Sequence, residues 1–506
     1  MKTFFLAALS GSLTALSFPK FSFSFLAWVS LIPLLFILLD KSSIKSFLLG
    51  MCAGFFHYAV LLYWIPFVPA HYGGLSAALS ISIYILFVLL LSLIWALFSL
   101  IYNKLSTTYK YASFFVAPLI WVSLEYILTY IFTGFPWCLL GYSQFKNIYF
   151  IQLATVTGIY GLSFMIIFFQ SMFVCSMRLS KKWPFFSALI AIIIVHACGY
   201  LSLKPVPVSE KNFTAGIIQG NVPSDTYWGA LTEKETMHLF NRHLEMSKQA
   251  ADRGAEIIIW PELSVPLCFG CEEEYYVRFN EKLKAFVRKT RTHLLLGTVE
   301  TKESQGHDLY FNAAILLSPD LSKSEYHKIH LVPFGEYTPY KKIFFFLEKV
   351  TSEVGDLTPG KQHVLHSFDS LSFGSPICYE IIFPQLVRKF VKKGANFLVT
   401  ITNDGWYRRS SAPFQHFAMA VLRAVENRRF LIRAATTGIS GVIDPYGRIL
   451  ARTELLTQTY LTEKITPLER NTFYTRYGDL FSFLSLALAS IFFLLTFFRK
   501  KHPFLF

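Results

Sequence analysis

Charge is what this chain has least of. Charged residues fill only 16% of its 506 positions, with 32 Asp+Glu against 47 Lys+Arg. Hydrophobic residues reach 53% and aromatics 17%, a balance that excludes an ordinary soluble protein and describes an integral membrane one. Cysteine is scarce too, at 7 residues. Cys52, Cys138, Cys175 and Cys198 lie in or beside apolar runs and read as small packing residues. Cys268 and Cys271 form a Cys-x-x-Cys with no second ligand pair at metal spacing, so a zinc site is not expected. A local disulfide and a pair of free thiols both stay open for them, and Cys378 is the odd thiol left over. Internal repeats and low-complexity tracts are also lacking.

The hydrophobicity that is present is unevenly placed. A bilayer core takes about 20 apolar residues per helix. Runs at roughly 3–18, 22–39, 47–69, 76–102, 112–133, 148–177, 184–203 and 480–498 predict about eight spans. With the N-terminus in the cytoplasm, Lys2, Lys41, Lys45, Lys104, Lys110, Arg178, Lys181, Lys182, Arg499, Lys500 and Lys501 fall inside, and only Lys20 and Lys146 fall in short outside loops. By the positive-inside rule this predicts both termini in the cytoplasm and residues 205–478 outside. The first run also has the outline of a secretory signal, with Lys2, an apolar Phe4–Leu16 and a weak cleavage site at Ala15–Leu16–Ser17. Retention is the expectation, because no polar mature N-terminus follows.

The net charge of +15 belongs to the same pattern. Residues 205–478 carry 33 Lys+Arg and 29 Asp+Glu, whereas the remainder carries 14 and 3, nearly all beside the spans. The basicity is therefore a topology signal and not a nucleic-acid footprint. Three parts are expected: a seven-span bundle over 1–204, a soluble domain over 205–478, and a last span with a basic tail over 479–506. Leu203–Lys211, with two prolines, is the linker.

Inside 205–478, short apolar runs alternate with polar helical stretches. Thr214–Gln219, Glu256–Trp260, His293–Val299, Asn312–Leu317, Asn396–Thr402, Phe430–Thr436 and Gly441–Asp444 predict strands. Glu233–Asp252, Glu273–Thr290, Pro384–Lys393 and Phe414–Asn427 predict helices. Such alternation argues for an α/β or layered α–β domain.

Three segments of this domain carry chemistry. Glu262 ends the apolar run Ile258–Ile259–Trp260–Pro261, where desolvation would raise its pKa toward that of a general base. Lys328 lies among aromatics and histidines, with Glu336 eight residues on. An ammonium there would stabilise an oxyanion and favour a neighbouring thiolate. Cys378 follows the β-like Leu371–Ile377 and precedes an apolar run, a strand-to-helix turn that projects its side chain. A base, an oxyanion stabiliser and a thiol are what acyl transfer through a thioester requires. The bland alternatives are a helix cap or ion pair for Glu262, a surface lysine for Lys328 and a structural cysteine for Cys378. Glu125, inside a span, is a candidate for function or for pairing with a neighbouring helix. Arg423, Glu426 and Arg433 read as a structural ion-pair network.

The order Glu, Lys, Cys with these surroundings resembles the nitrilase (carbon–nitrogen hydrolase) superfamily. His327–Lys328, Leu331–Val332–Pro333–Phe334–Gly335–Glu336–Tyr337, Cys378–Tyr379–Glu380 and Asn403–Asp404–Gly405–Trp406 resemble its membrane branch, the apolipoprotein N-acyltransferases. So do Gly134–Phe135–Pro136–Trp137 and Gly141–Tyr142–Ser143–Gln144 in the apolar part. The likeness runs from about residue 10 to the last span. It implies an αββα sandwich on an eight-helix membrane bundle in a bacterial inner membrane, with the soluble domain periplasmic. It implies Cys378 as nucleophile, Glu262 as base and Lys328 as oxyanion stabiliser. Glu336 would support the lysine, Tyr379 and Glu380 would shape the pocket, and Trp228 would position the second substrate. The Cys268–Cys271 pair is not part of that pattern.

The implied reaction moves the sn-1 acyl chain of a phospholipid to the α-amine of a diacylglyceryl-cysteine at a lipoprotein N-terminus. The partners would be a phospholipid donor, an apolipoprotein acceptor and the bilayer, with no metal or cofactor required. Two rivals are a membrane-tethered amide hydrolase using the same residues and a non-catalytic receptor. The intact Glu262, Lys328 and Cys378 speak against the second.

Overall fold

The computed structural model describes residues 1–501 except 110, 138, 206–210, 223–230, 266–267, 270, 272, 305 and 341–356. Part of the expected linker and Trp228 lie outside the described residues. The chain divides into two compact units. One comprises 1–67, 76–204 and 477–506, and the other comprises 68–75 and 205–476.

The first unit is helical. Among the described residues, five helices are long and apolar enough to cross a membrane: α1 (Ser43–Leu61), α2 (Ala77–Tyr109), α3 (Ala112–Tyr130), α4 (Ile159–Leu179) and α5 (Trp183–Ser202). The other expected spans form shorter apolar helices, over Lys2–Leu16, Ser24–Leu38 and Leu480–Thr496. Local chemistry explains two of the differences. Pro33 starts the helix Ile32–Leu38 after a separate 3-10 turn over Ser24–Trp28. The run at 148–177 is interrupted at Gly158, whose φ of +63° favours glycine, so the long helix begins at Ile159.

Packing in this unit depends on small residues. Gly50 and Gly54, one turn apart on α1, meet α2 so closely that a Cβ on Gly50 would lie 2.5 Å from the Trp95 carbonyl oxygen, and one on Gly54 2.9 Å from the Ser92 Cα. This is the small-xxx-small device by which apolar helices approach one another where no hydrophobic effect drives them together. Glu125 is buried in α3 and makes contacts within this unit. Its Oε1 accepts from the Trp121 indole at 2.9 Å and from the Leu140 amide at 2.7 Å, which fastens the turn Leu140–Gln144.

The second unit is an α/β domain built on two sheets. Its strands are β1 (Phe213–Gln219), β2 (Ile257–Ile259), β3 (Cys268–Phe269), β4 (His293–Ser304), β5 (His307–Leu317), β6 (Lys323–His327), β7 (His366–Phe368), β8 (Leu371–Gly374), β9 (Phe397–Thr402), β10 (Leu431–Ala435), β11 (Gly441–Ile443), β12 (Ile449–Arg452) and β13 (Thr459–Ile465). The first sheet runs β13-β1-β2-β4-β5-β6 with β3 beside β4, and the second runs β12-β11-β10-β9-β8-β7. In each sheet the central pairs, β1–β2–β4 and β8–β9–β10, are parallel, as is β3 beside β4, and the remaining strands join antiparallel. The central strands are apolar because they are covered on both faces; β9 is buried throughout.

Helices α6 (Glu233–Asp252) and α7 (Glu274–Thr290) cover the outer face of the first sheet. Phe240, Phe279 and Leu283 pack there on Ile258, Trp260 and Leu294. Thr232 caps α6, accepting from the Glu235 amide while the Glu235 carboxylate reaches back to the Thr232 amide. On the second sheet lie α8 (Pro384–Lys392) and α9 (Ala412–Asn427). The inner faces meet where Phe213 of β1 contacts Phe368 and Phe397 of the second sheet, at centroid distances of 5.0 and 4.8 Å. The layers are helix, sheet, sheet, helix.

All seven expected strands and four expected helices of this domain are present, with ends moved by a few residues. The strands that the sequence does not announce are mostly edge strands. β6 (Lys-Ser-Glu-Tyr-His) and β13 carry charge and stand half exposed. Polar edges of this kind resist pairing with another chain, and they lack the apolar signature of a central strand.

Candidate active site

The first sheet delivers an acid at the carboxyl end of one strand and an amine at the end of another. Chain continuing from β2 through Trp260 and Pro261 brings Glu262 inward, 4% exposed. Its backbone lies hard against β4. A Cβ on Gly297 would stand 2.5 Å from the Glu262 Cα and 2.8 Å from the Pro261 oxygen, so only glycine fits there. Lys328 follows β6 directly and is 1% exposed, its amide donating to the Asn312 carbonyl at 2.8 Å.

These side chains form one network. The Lys328 ammonium donates to Glu262 Oε1 at 3.1 Å and to Glu336 Oε1 at 2.8 Å. Asn312 on β5 donates to the same two oxygens, each at 2.8 Å. Glu262 Oε2 accepts from the Asn403 amide at 2.8 Å, and Glu336 Oε2 from the Val332 amide at 2.7 Å. Burial alone would lower the Lys328 pKa, but Glu262, Glu336 and the Cys378 sulfur override it and hold the ammonium charged. Asn312 was expected only as the start of a strand. Its place between two acidic positions has no local signature in the sequence.

The second sheet delivers the thiol. After β8 the chain passes through an isolated parallel bridge, Ile377 to Ile401, into the 3-10 turn Cys378–Ile382. Cys378 has φ +49°, a left-handed conformation that residues with side chains rarely adopt. Burial pushes its thiol pKa well up and Glu262 adds to this, while Lys328 and a hydrogen bond from Thr402 work against it. The resting sulfur is therefore protonated. Lys328 acts in the expected direction, toward the thiolate, and burial with Glu262 outweighs it.

Glu380 joins the two halves. Its Oε1 accepts from the Tyr326 hydroxyl at 2.8 Å and from the amides of Ile329 and His330 at 2.7 and 3.1 Å, and its Oε2 accepts from the Ile377 amide at 2.7 Å. Burial pushes this carboxyl up to about 7 against those hydrogen bonds, which favour the charged form. Tyr379 packs beside the thiol turn on Phe383 and His330, at 5.2 and 5.7 Å between centroids.

A second buried cluster lies behind the cysteine. Asp404 pairs with Arg433 at 2.7 Å and with His416 at 2.9 Å, and the other ring nitrogen of His416 lies 3.1 Å from the Cys378 carbonyl oxygen. Arg433 thus serves Asp404, whereas Arg423 and Glu426 pair with each other at 2.8 Å. The expected three-residue network is two separate ones. The turn Asp404–Tyr407 also meets the segment 68–75: Tyr72 donates to the Gly405 carbonyl at 3.3 Å, and its ring lies 4.7 Å from that of Trp406.

Away from this centre, Cys268 and Cys271 are joined as a disulfide. Glu300, Glu325 and His327 come within reach of a single ion. Lys302 and Lys323 already supply the positive charge there, with Lys302 at 2.5 Å from Glu325 and 3.5 Å from Glu300, and Lys323 at 3.7 Å from Glu300.

A protonated thiol, a buried carboxylate and a fixed ammonium can together perform nucleophilic acyl chemistry. Comparison with known proteins gives matches over nearly the whole chain. The apolipoprotein N-acyltransferase N-terminal domain matches residues 10–172, and carbon-nitrogen hydrolase matches residues 214–471. The chain is 36% identical to the apolipoprotein N-acyltransferase of Geobacter metallireducens, over 99% of this chain and 96% of that protein. It is 31% identical to that of Haemophilus influenzae, again over 99% and 96%. The crystal structure of Saccharomyces cerevisiae Nit3, a member of branch 10 of the nitrilase superfamily, covers 60% of this chain and 98% of its own, at 16% identity and a TM-score of 0.39.

Proposed function

Since the chain belongs to the apolipoprotein N-acyltransferase family, we propose that it acylates the N-terminal amine of apolipoproteins, drawing the acyl group from the sn-1 position of a phospholipid. The observation that carries the chemistry is the closed network in which Lys328, Glu262 and Glu336 share one buried site with the Cys378 turn. In this reading Glu262 takes the thiol proton as the Cys378 sulfur attacks the ester carbonyl. Lys328 faces the oxygen that becomes anionic. The intermediate collapses by breaking the ester C–O bond, and Glu262 returns the proton to the departing lysophospholipid oxygen. The acceptor amine then attacks the thioester and gives a proton to Glu262. The C–S bond breaks, and the sulfur recovers that proton.

Because the thiol rests protonated, proton removal has to accompany attack, which makes Glu262 indispensable in the first half-reaction. Glu336 and Asn312 hold the ammonium and the base in register. Trp228 positions the acceptor. The amide product makes the second half-reaction downhill.

The membrane arrangement follows the charge pattern. We infer eight spans, the three shorter apolar helices included, with residues 205–478 in the periplasm and both termini in the cytoplasm of the inner membrane; eleven basic residues inside against two outside support this reading. Mass spectrometry of a diacylated model lipopeptide, incubated with enzyme and phospholipid, tests the activity. An added acyl chain in amide linkage is expected. Release of free fatty acid with an unmodified amine would make the protein a hydrolase instead.

A further inference from the structure

The group nearest the Cys378 sulfur by hydrogen bonding is neither the base nor the ammonium. Thr402, the last residue of β9, points its hydroxyl at Cys378 Sγ from 3.2 Å. The same oxygen lies 3.2 Å from Asp404 Oδ1. Both groups are acceptors toward it, and a hydroxyl has one hydrogen to give. Thr402 is fully buried, away from bulk water.

What surrounds Asp404 decides where that hydrogen goes. Asp404 Oδ2 is held by Arg433 at 2.7 Å, and Oδ1 lies 2.9 Å from His416 Nδ1. Burial would raise the Asp404 carboxyl, but Arg433 and His416 hold it down at about 2, so it stays ionised. The Cys378 carbonyl can only accept, which fixes a hydrogen on His416 Nε2 and ties the strained turn at φ +49° to this cluster. Burial and Arg433 lower the His416 pKa, and in the neutral ring Nδ1 is an acceptor that Arg433 reaches at 3.1 Å. With Arg433 holding its other oxygen, Asp404 can give up the threonine hydrogen when a stronger claim on it appears. A neutral thiol is a weak acceptor, and a sulfur carrying negative charge is a strong one.

We propose that Thr402 is a further catalytic residue, whose hydroxyl swings from Asp404 to the Cys378 sulfur as the S–H bond breaks, and again when the sulfur leaves the thioester. No atom is transferred by Thr402 itself. The proton moves between Cys378 and Glu262, and the threonine hydrogen only changes its acceptor. The charged or titratable groups that bear on the sulfur are Glu262 beyond β2, Lys328 beyond β6, Asp404 and Tyr407 in the turn after β9, and His416 on α9 behind the turn. Lys328 supplies the cationic field, and Thr402 is the donor in direct contact.

The inference rests on Cys378 being the nucleophile, and its test reads the sulfur separately from the overall reaction. Full-length enzyme in detergent is alkylated with iodoacetamide across a pH series, and labelling at Cys378 is followed by peptide mass spectrometry. Thr402→Val keeps the shape of the side chain and removes the hydroxyl. Its alkylation profile is expected to move upward by about one pH unit, the order of a hydrogen bond to a charged group, and acyl-enzyme formation is expected to slow about tenfold. Thr402→Ser keeps the hydroxyl and should restore both readouts to within about threefold. A Val variant with the wild-type profile would overturn the proposal, as would a Ser variant as impaired as Val, because packing and not the hydroxyl would then matter. If Cys378→Ala still transferred acyl groups, the nucleophile assignment itself would fail, whatever Thr402 did.

Discussion

Removing the lysine charge is the most searching perturbation of this site. Lys328 is 1% exposed and stands between two carboxylates, 3.1 Å from Glu262 and 2.8 Å from Glu336, whose side chains are 5% and 12% exposed. Lys328→Met keeps most of the volume and leaves those carboxylates facing each other without a cation. Breaking a buried ion pair from one side costs about 3–5 kcal/mol, because the orphaned charge cannot return to water. For a domain of this size that lowers the apparent unfolding temperature by roughly 10 °C. Turnover should fall further than binding, by about 10²–10³-fold for a lost oxyanion donor. The double variant Lys328→Met/Glu336→Gln separates the two effects. Glu262 would keep Asn312 and the Asn403 amide, so much of the stability should return while the activity should not. Thermal unfolding in detergent and single-turnover acyl-enzyme formation would read the two. A Lys328→Met enzyme that melts with the wild type, or acylates within threefold of its rate, would refute this account of the site.

Three further outcomes are expected. Glu262→Gln should abolish acyl-enzyme formation itself, because the protonated thiol then has no base; intact-mass spectrometry for a hydroxylamine-sensitive adduct checks this, and acylation at the normal rate would rule out Glu262. Gly297→Ala, whose Cβ would press on the Glu262 Cα at 2.5 Å, should cut activity and stability together, by at least about 1–3 kcal/mol of overpacking, as measured by thermal unfolding beside the single-turnover assay. Asp404, held at about 2 in the fold against about 3.9 in an unfolded chain, contributes about 2–3 kcal/mol that is present above pH 4 and lost as pH falls from about 4 to 2. Asp404→Asn should flatten that acid limb in unfolding measured from pH 5 down to 2.5.

The legible part of the site was the part written as local runs. Glu262 and Cys378 each stand past an apolar strand, so the sequence marks both the strand and the break, whereas Lys328 follows the polar β6 and is marked by the aromatics, histidines and Glu336 around it. The network that makes them one site is assembled from residues far apart in the chain. Asn312 reaches Glu262 across 50 residues, and Asn403 reaches it across 141. Nothing in the neighbourhood of Asn312 signals that contact, and Asn403 stands out only through the resemblance that Asn403–Asp404–Gly405–Trp406 carries. His416 is silent too, a polar residue beside Gln415 in α9 whose meaning depends on a carbonyl 38 residues away. The apolar runs in the first unit were plain, whereas their lengths depended on interruptions such as Gly158 and Pro33 that hydropathy alone does not weigh.

Glu380 has a consequence for precision. Four donors converge on its two oxygens, three from the segment that carries Lys328 and one from the residue before Cys378. In any assembly, the error between two parts grows with the number of joints separating them. By strand connectivity the ammonium and the sulfur are separated by many such joints. By way of one carboxylate the backbone segments that carry them are separated by two hydrogen bonds. The carboxylate works as a datum from which both halves are measured, so a shift of one sheet against the other has to break these bonds before it parts the two segments.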